Sequence, residues 1–146
     1  MAQVSKNVLV EFSSGQMFEL VDRVEDYPLF LPWCGGTKLH RRDEKITVAT
    51  LTIDYMGVRQ NFTTENEKIV PTEMRINLRE GPFSHLRGHW RFKPLGETAC
   101  RVDFEMIYSF SSKLLESVLT PVFNHIANTF VDSFVRRAEE VYCEHG

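Results

Sequence analysis

Five stretches of this chain alternate between apolar and polar residues, and that alternation limits the fold more than any other feature. In the longest, Cys100, Val102, Phe104, Met106, Tyr108 and Phe110 share one side, with Arg101, Asp103 and Glu105 between them. Leu86, Trp90 and Phe92 alternate with His85, Arg87, His89 and Arg91. Met74, Ile76 and Leu78 alternate with Glu73, Arg75, Asn77 and Arg79. Ala49, Leu51, Ile53 and Tyr55 alternate with Thr50, Thr52 and Asp54, while Lys6, Val8, Val10 and Phe12 share a side of residues 4–12. A period of two with one greasy side predicts antiparallel strands wet on one face, since buried parallel strands read as continuous apolar runs. Residues 59–66 are polar on both sides apart from Phe62, which predicts a strand near an edge or a cavity mouth.

The greasy face needs one covering element. Residues 112–143 supply it: Leu115, Leu119, Phe123, Ile126, Phe130, Phe134 and Val141 fall at helical spacing, with Asn124, Asn128, Asp132, Arg136 and Glu139 opposite. A break is expected at Thr120-Pro121, with Thr120 capping the second piece. Arg136 and Arg137 suit the negative end of the helix dipole. Near the start, Ser13-Ser14-Gly15-Gln16 reads as a capping box that opens a short helix. A second short helix is expected to start at Asp26-Tyr27-Pro28 and to end at Pro32 and Gly35-Gly36. The order is strand, two short helices, six strands, long helix, in one domain over residues 1–146. A sheet of about seven strands wraps around the terminal helix, with bends expected at Gly57, Gly81 and Gly88.

Charge and cysteine content narrow the function. With a net charge of -3, the chain lacks the strongly basic surface of a general nucleic-acid coat, and DNA is not an expected partner. Lys38 and His40-Arg41-Arg42 are followed at once by Asp43 and Glu44, the pattern of a solvated hairpin edge. Cys34, Cys100 and Cys143 form no CxxC or zinc spacing, which fits a reducing cytoplasm. No apolar run is long enough for a membrane span; no signal peptide is expected, because Lys6, Asn7 and Glu11 interrupt the start, and no transit peptide is expected, because the first strand is expected to begin almost at Met1. His85 and His89 stand about 13 Å apart along one strand, too far for one metal. Tyr55 and Tyr108 are the inward strand residues with a transferable proton, and Cys100 reads as inert packing. No catalytic pairing emerges, so the expectation is a protein that is not an enzyme and needs no metal or cofactor.

Val24-Glu25-Asp26-Tyr27-Pro28-Leu29-Phe30-Leu31-Pro32-Trp33-Cys34 resembles a signature of the coenzyme Q-binding START-like family. Gly81-Pro82-Phe83 with Leu86, Gly88, Trp90 and Phe92 is similar to its second signature. Leu119-Thr120-Pro121-Val122-Phe123, then Phe134, Arg137-Ala138 and Val141-Tyr142, is similar to a third. The resemblance implies an α+β helix-grip fold in the superfamily of START lipid carriers and polyketide cyclases, with a pocket between sheet and terminal helix.

That resemblance implies two functions. One is binding of ubiquinone or a related polyprenyl lipid in support of respiration. The other, in a bacterial ribosome association toxin-type branch, is binding of the large ribosomal subunit to block subunit joining. A polyketide cyclase or aromatase role is a third alternative, and Tyr108 is its best residue. The expected ligand pocket comprises Met74, Ile76, Leu78, Leu86, Trp90, Phe104, Met106, Tyr108, Phe123, Ile126, Phe130 and Phe134. The expected mouth or lid comprises Tyr27, Phe30, Leu31, Pro32, Trp33, Gly81, Pro82 and Phe83, with Phe83 tucked under the lid. Tyr27 and Trp33 each combine an apolar body with a polar tip, which suits either a half-wet entrance or a staple of the short helix onto the sheet. For the ribosomal reading, Lys38, Arg41, Arg42, Arg75, Arg79, Arg87 and Arg91 are the candidate basic residues, with Arg75, Arg87 and Arg91 in one outward stripe. The expected location is a bacterial cytoplasm, with transient contact to the inner membrane surface.

Overall fold

The computed structural model describes residues 2–142. Strand β1 (Ala2–Val10) leads into helix α1 (Ser14–Asp22) and a short 3-10 helix (Val24–Leu29). Six strands follow: β2 (Cys34–Arg42), β3 (Ile46–Tyr55), β4 (Val58–Ile69), β5 (Glu73–Glu80), β6 (Phe83–Pro94) and β7 (Cys100–Phe110). Helix α2 (Lys113–Tyr142) is the last element of the described residues. The strands form one antiparallel sheet in the order β1-β7-β6-β5-β4-β3-β2, so β2 to β7 are successive hairpins and β1 adds beside β7. This is the helix-grip arrangement: a curved seven-stranded sheet with a long helix across its inner face.

Local chemistry sets these elements. Ser13 and Gln16 make the capping box, Gln16 N–H donating to Ser13 Oγ at 3.1 Å and Ser13 N–H to Gln16 Oε1 at 2.9 Å. The β3–β4 hairpin turns on Met56 and Gly57, both at positive φ (53° and 78°), as a tight two-residue turn requires. Gly81 has φ 153° and lies where a Cβ would stand 2.7 Å from Cβ of Phe62. Any other residue would push the β5–β6 turn off the sheet beside the irregularity between Thr63 and Thr64.

Three expectations need correction. Helix α2 does not break at Thr120-Pro121; Pro121 lies inside it. The packed stripe of Leu119, Val122, Phe123 and Ile126 holds both sides of the proline against the sheet. Pro121 and Ser117 are both exposed, so water can meet the Ser117 carbonyl that loses its helical partner. Arg136 and Arg137 precede the last described turn of α2, and the Arg137 guanidinium sits over the Phe30 ring at 5.4 Å. The second helix starts at Val24, two residues earlier than expected, with Pro28 inside it. Of the two places expected for strand β4, the edge is excluded: it pairs with β3 and β5, and Phe62, Thr64, Asn66 and Lys68 point inward and are buried, the first three beside the interior cavity.

Candidate functional site

Two aromatic clusters divide the space between sheet and α2. In one, Trp90 packs on Phe104 (4.5 Å), Phe130 (5.6 Å), Phe134 (5.5 Å) and Phe92 (5.7 Å), and Phe18 of α1 caps Phe92 at 5.7 Å. In the other, Phe83 meets Phe62 (5.8 Å), Phe110 (5.1 Å) and Phe123 (5.1 Å). A cavity of about 60 Å³ remains between them. Its wall combines Val24 and Tyr27, Trp33, Ala49 and Leu51 of β3, Phe62, Thr64 and Asn66 of β4, and Ile76. Leu86, Phe104, Met106, Phe123, Ile126 and Phe130 complete it. Small-molecule pockets usually measure roughly 300–1,000 Å³, so this interior admits a ring and tail only by opening.

Seven of the twelve expected pocket residues reach this wall: Ile76, Leu86, Phe104, Met106, Phe123, Ile126 and Phe130. Met74, Trp90 and Phe134 do not; they are fully covered by neighbouring rings and strands and form the packed floor. Leu78 is half-buried and packs against the core without reaching the cavity. Tyr108 is drawn away from the cavity because its hydroxyl donates to Asn124 Oδ1 of α2 at 2.6 Å, and burial raises its pKa.

The expected lid separates into three parts. Tyr27 is a staple that also touches the cavity: its hydroxyl donates to the Val21 carbonyl and its ring meets Phe134 edge-on at 5.3 Å. Burial first, and the nearby Asp22 charge second, push its pKa well above the usual phenol range. Trp33 lines the cavity and also an outer groove of about 210 Å³ with Phe30, Pro32, Tyr55, His125 and Arg136. Its indole stands beside Phe130, 6.2 Å away, and its carbonyl accepts from Asp54 N–H at 2.8 Å. Trp33 is thus the wall shared by interior and groove. In the groove the Tyr55 and His125 rings stack at 5.3 Å. Leu31 is buried beneath the turn.

Gly81, Pro82 and Phe83 are not at this mouth. Phe83 packs with Phe62, Phe110 and Phe123, because the tight approach of Gly81 to Phe62 sends the chain inward beside the start of α2. Sequence reasoning missed Val24, Ala49, Leu51, Phe62, Thr64 and Asn66 as wall residues. The signal for Thr64 and Asn66 was present: they share the parity of Phe62 on one strand.

Beyond Asn66 the wall gives way to an ionic clip. Lys68 Nζ, with its side chain 3% exposed, pairs with Asp22 Oδ2 at 3.1 Å. Thr47 Oγ1 donates to Asp22 Oδ1 at 2.6 Å. Arg42 holds Glu25 with two hydrogen bonds of 2.8 and 2.7 Å, and these bonds lower the Glu25 pKa to about 2. The clip joins α1, the 3-10 helix and β2 to β4. Cys34 and Cys100 carry thiol pKa values raised by burial, Cys100 to about 11, which keeps both thiols protonated and unreactive at neutral pH.

The outer face is a mixed lattice of charge. Arg79 pairs with Glu65 (2.8 Å), Arg91 lies 4.0 Å from Glu73, and Arg41 binds Asp43 at 2.7 Å. Arg42 is spent in the clip. Register sets Arg75 beside His89 and Glu67, so Arg75, Arg87 and Arg91 do not make an unbroken basic stripe. Among the described residues no cluster of three or more metal-ligating side chains occurs, and no helix is long and apolar enough to cross a membrane.

A curved antiparallel sheet gripping a terminal helix around an apolar cavity defines the START-like class. A structure of a START superfamily protein from Mycobacterium smegmatis superposes with a TM-score of 0.78 at 17% identity, over 95% of this chain and 98% of that one. The sequence pattern described as polyketide cyclase / dehydrase and lipid transport matches residues 10–135, and the chain belongs to that family. Ribosome association toxin RatA of Vibrio cholerae is 41% identical over 144 residues, covering 99% of this chain and 100% of that protein. The mitochondrial coenzyme Q-binding protein COQ10 homolog B of Xenopus laevis is 28% identical over 144 residues, 96% of this chain and 59% of that protein.

Proposed function

We propose that this chain is a binder, not a catalyst, whose interior takes up a polyprenyl quinone or similar hydrophobic molecule and holds it for respiration. The observation that carries the reading is the cavity wall, apolar and aromatic except for Tyr27, Thr64 and Asn66. The ligand enters past Trp33 and Phe130, which swing apart to join cavity and outer groove. Each buried CH₂ contributes about 0.8 kcal/mol, so a few isoprene units supply useful affinity with no charge on the ligand. Similarity to a protein named for binding coenzyme Q supports the reading. The test is organic extraction of purified protein followed by mass spectrometry, together with uptake of added quinone. A stoichiometric polyprenyl quinone is expected. Repeated absence of any lipid, with no uptake, would overturn the reading.

The similarity to relatives named ribosome association toxins favours a second reading, in which the outer surface docks on the large ribosomal subunit. Lys38, Arg75 and Arg87, which make no ion pair among the described residues, are the groups left to meet RNA phosphates. Sucrose-gradient sedimentation at low salt tests it. Co-migration with large subunits is expected; protein that stays at the top of the gradient ends it.

A further inference from the structure

Three buried side-chain polar atoms among the described residues have no hydrogen-bond partner, Asn66 Oδ1, Trp90 Nε1 and Arg137 Nε, and of the three residues Asn66 is the one that lines the cavity. Asn66 is 6% exposed. More than nine in ten buried polar groups in folded proteins are paired, so an orphan on a cavity wall calls for a cause. The neighbours do not supply one. Thr47, opposite Asn66 on β3, commits its hydroxyl proton to Asp22, and Lys68, two residues along β4, turns its ammonium to the same carboxylate. Ile76, opposite on β5, has nothing to offer. Thr64, 4% exposed, stands beside Asn66 on the same wall. With the Tyr27 hydroxyl committed to the Val21 carbonyl, Asn66 and Thr64 are the remaining amide and hydroxyl side chains on an otherwise apolar wall.

We propose that Asn66, assisted by Thr64, is the polar anchor that receives the oxygen-bearing head of the bound molecule; this rests on the reading of the interior as a lipid site. The Asn66 amide presents either its carbonyl or its NH₂ group after a half-turn of the side chain, so it meets a hydroxyl or a keto oxygen. The ligand class is therefore a neutral amphiphile with a hydrogen-bonding head and a greasy tail. A pure hydrocarbon leaves Asn66 unpaired, and a carboxylate would bring an uncompensated charge beside Asp22. The head goes in first. Asn66 and Trp33 line the same cavity, and along β4 Asn66 lies six residues from Gln60, which pairs with the Ile53 that meets Cys34 next to Trp33, so Asn66 is at the end of the wall away from that turn. The tail then trails toward Trp33 and Phe130.

The experiment compares two probes of similar tail, decylubiquinone and decylbenzene, by quenching or displacement at the tryptophans of the full chain. Asn66→Leu is expected to weaken decylubiquinone about tenfold, the usual consequence of removing one partner of a buried hydrogen bond, and to leave decylbenzene within about twofold. Thr64→Val is expected to weaken decylubiquinone about threefold. The thermal midpoint of Asn66→Leu should rise, because a buried orphan has been replaced by an apolar group, and that readout also certifies folding. Unchanged decylubiquinone affinity in Asn66→Leu, or an equal loss for both probes, would overturn the anchor while leaving the carrier reading intact. Failure of the unmodified protein to bind either probe would remove the carrier reading, and the anchor with it.

Discussion

Strands β6 and β4 turn toward the same helix, yet their inner faces are built of opposite materials. β6 contributes Leu86, Trp90 and Phe92, all buried and all apolar. β4 contributes Phe62, Thr64, Asn66 and Lys68, equally buried and mostly polar. The first row stabilises by excluding water and by close ring packing. The second row survives because Lys68 is neutralised by Asp22, while Asn66 is left free to face the cavity. The contrast teaches that the grip has an apolar, ring-packed structural side and a polar side, and that the cavity lies where they meet.

The contrast can be broken or sharpened in order of effect. Trp90→Ala removes the ring that touches Phe92, Phe104, Phe130 and Phe134, and should cost about 3–5 kcal/mol in denaturant unfolding. A loss under about 1 kcal/mol would show that the β6 row is not the structural side. Asp22→Ala strands Lys68 as a buried unpaired charge and should cost roughly 3 kcal/mol. Lys68→Met in the same background should restore much of that loss, which separates the clip from general damage to α1.

A smaller effect is carried by pH. The folded Glu25 pKa, about 2, lies below its ordinary 4.5 because Arg42 binds the carboxylate. The stabilisation is therefore complete above about pH 4.5 and is lost as pH falls through about 2. The pair is exposed enough for solvent to screen it, so the change is modest. Unfolding midpoints measured between pH 6 and pH 2 should converge for Glu25→Gln and the unmodified chain only at the acid end. The smallest effect belongs to the outer face: Arg91→Ala should shift stability by no more than about 0.5 kcal/mol, because its partner Glu73 is 4.0 Å away in solvent.

The same contrast explains how much could be read from residues alone. β6, β7 and the stripe of α2 were legible because their inward positions are apolar, and periodicity detects that. The polar inward row of β4 reads as an edge or a cavity mouth; the strand is internal to the sheet, and Phe62, Thr64 and Asn66 line the cavity. The partner that makes Lys68 tolerable, Asp22, lies 46 residues away, beyond any local pattern. Pro121 was read as a break because local propensity ignores the packing on both sides of it. At the candidate site, Ile76, Phe104 and Phe130 followed from parity and helical spacing. Met74 and Trp90 share that parity yet end in the floor, because which inward residue borders empty space depends on the neighbouring rings. Tyr108 was diverted by Asn124, a pairing between sheet and helix that no spacing rule contains.

In the proposed mode of binding, the small interior opens to take an oxygen-headed lipid against Asn66. A structure determined with decylubiquinone bound tests it most directly. We expect the quinone ring inside the grip, one of its oxygens within hydrogen-bond distance of the Asn66 amide, Trp33 and Phe130 moved apart, and a cavity enlarged to at least roughly 300 Å³. A quinone found only on the outer face or in the groove, with the interior still near 60 Å³, would contradict it.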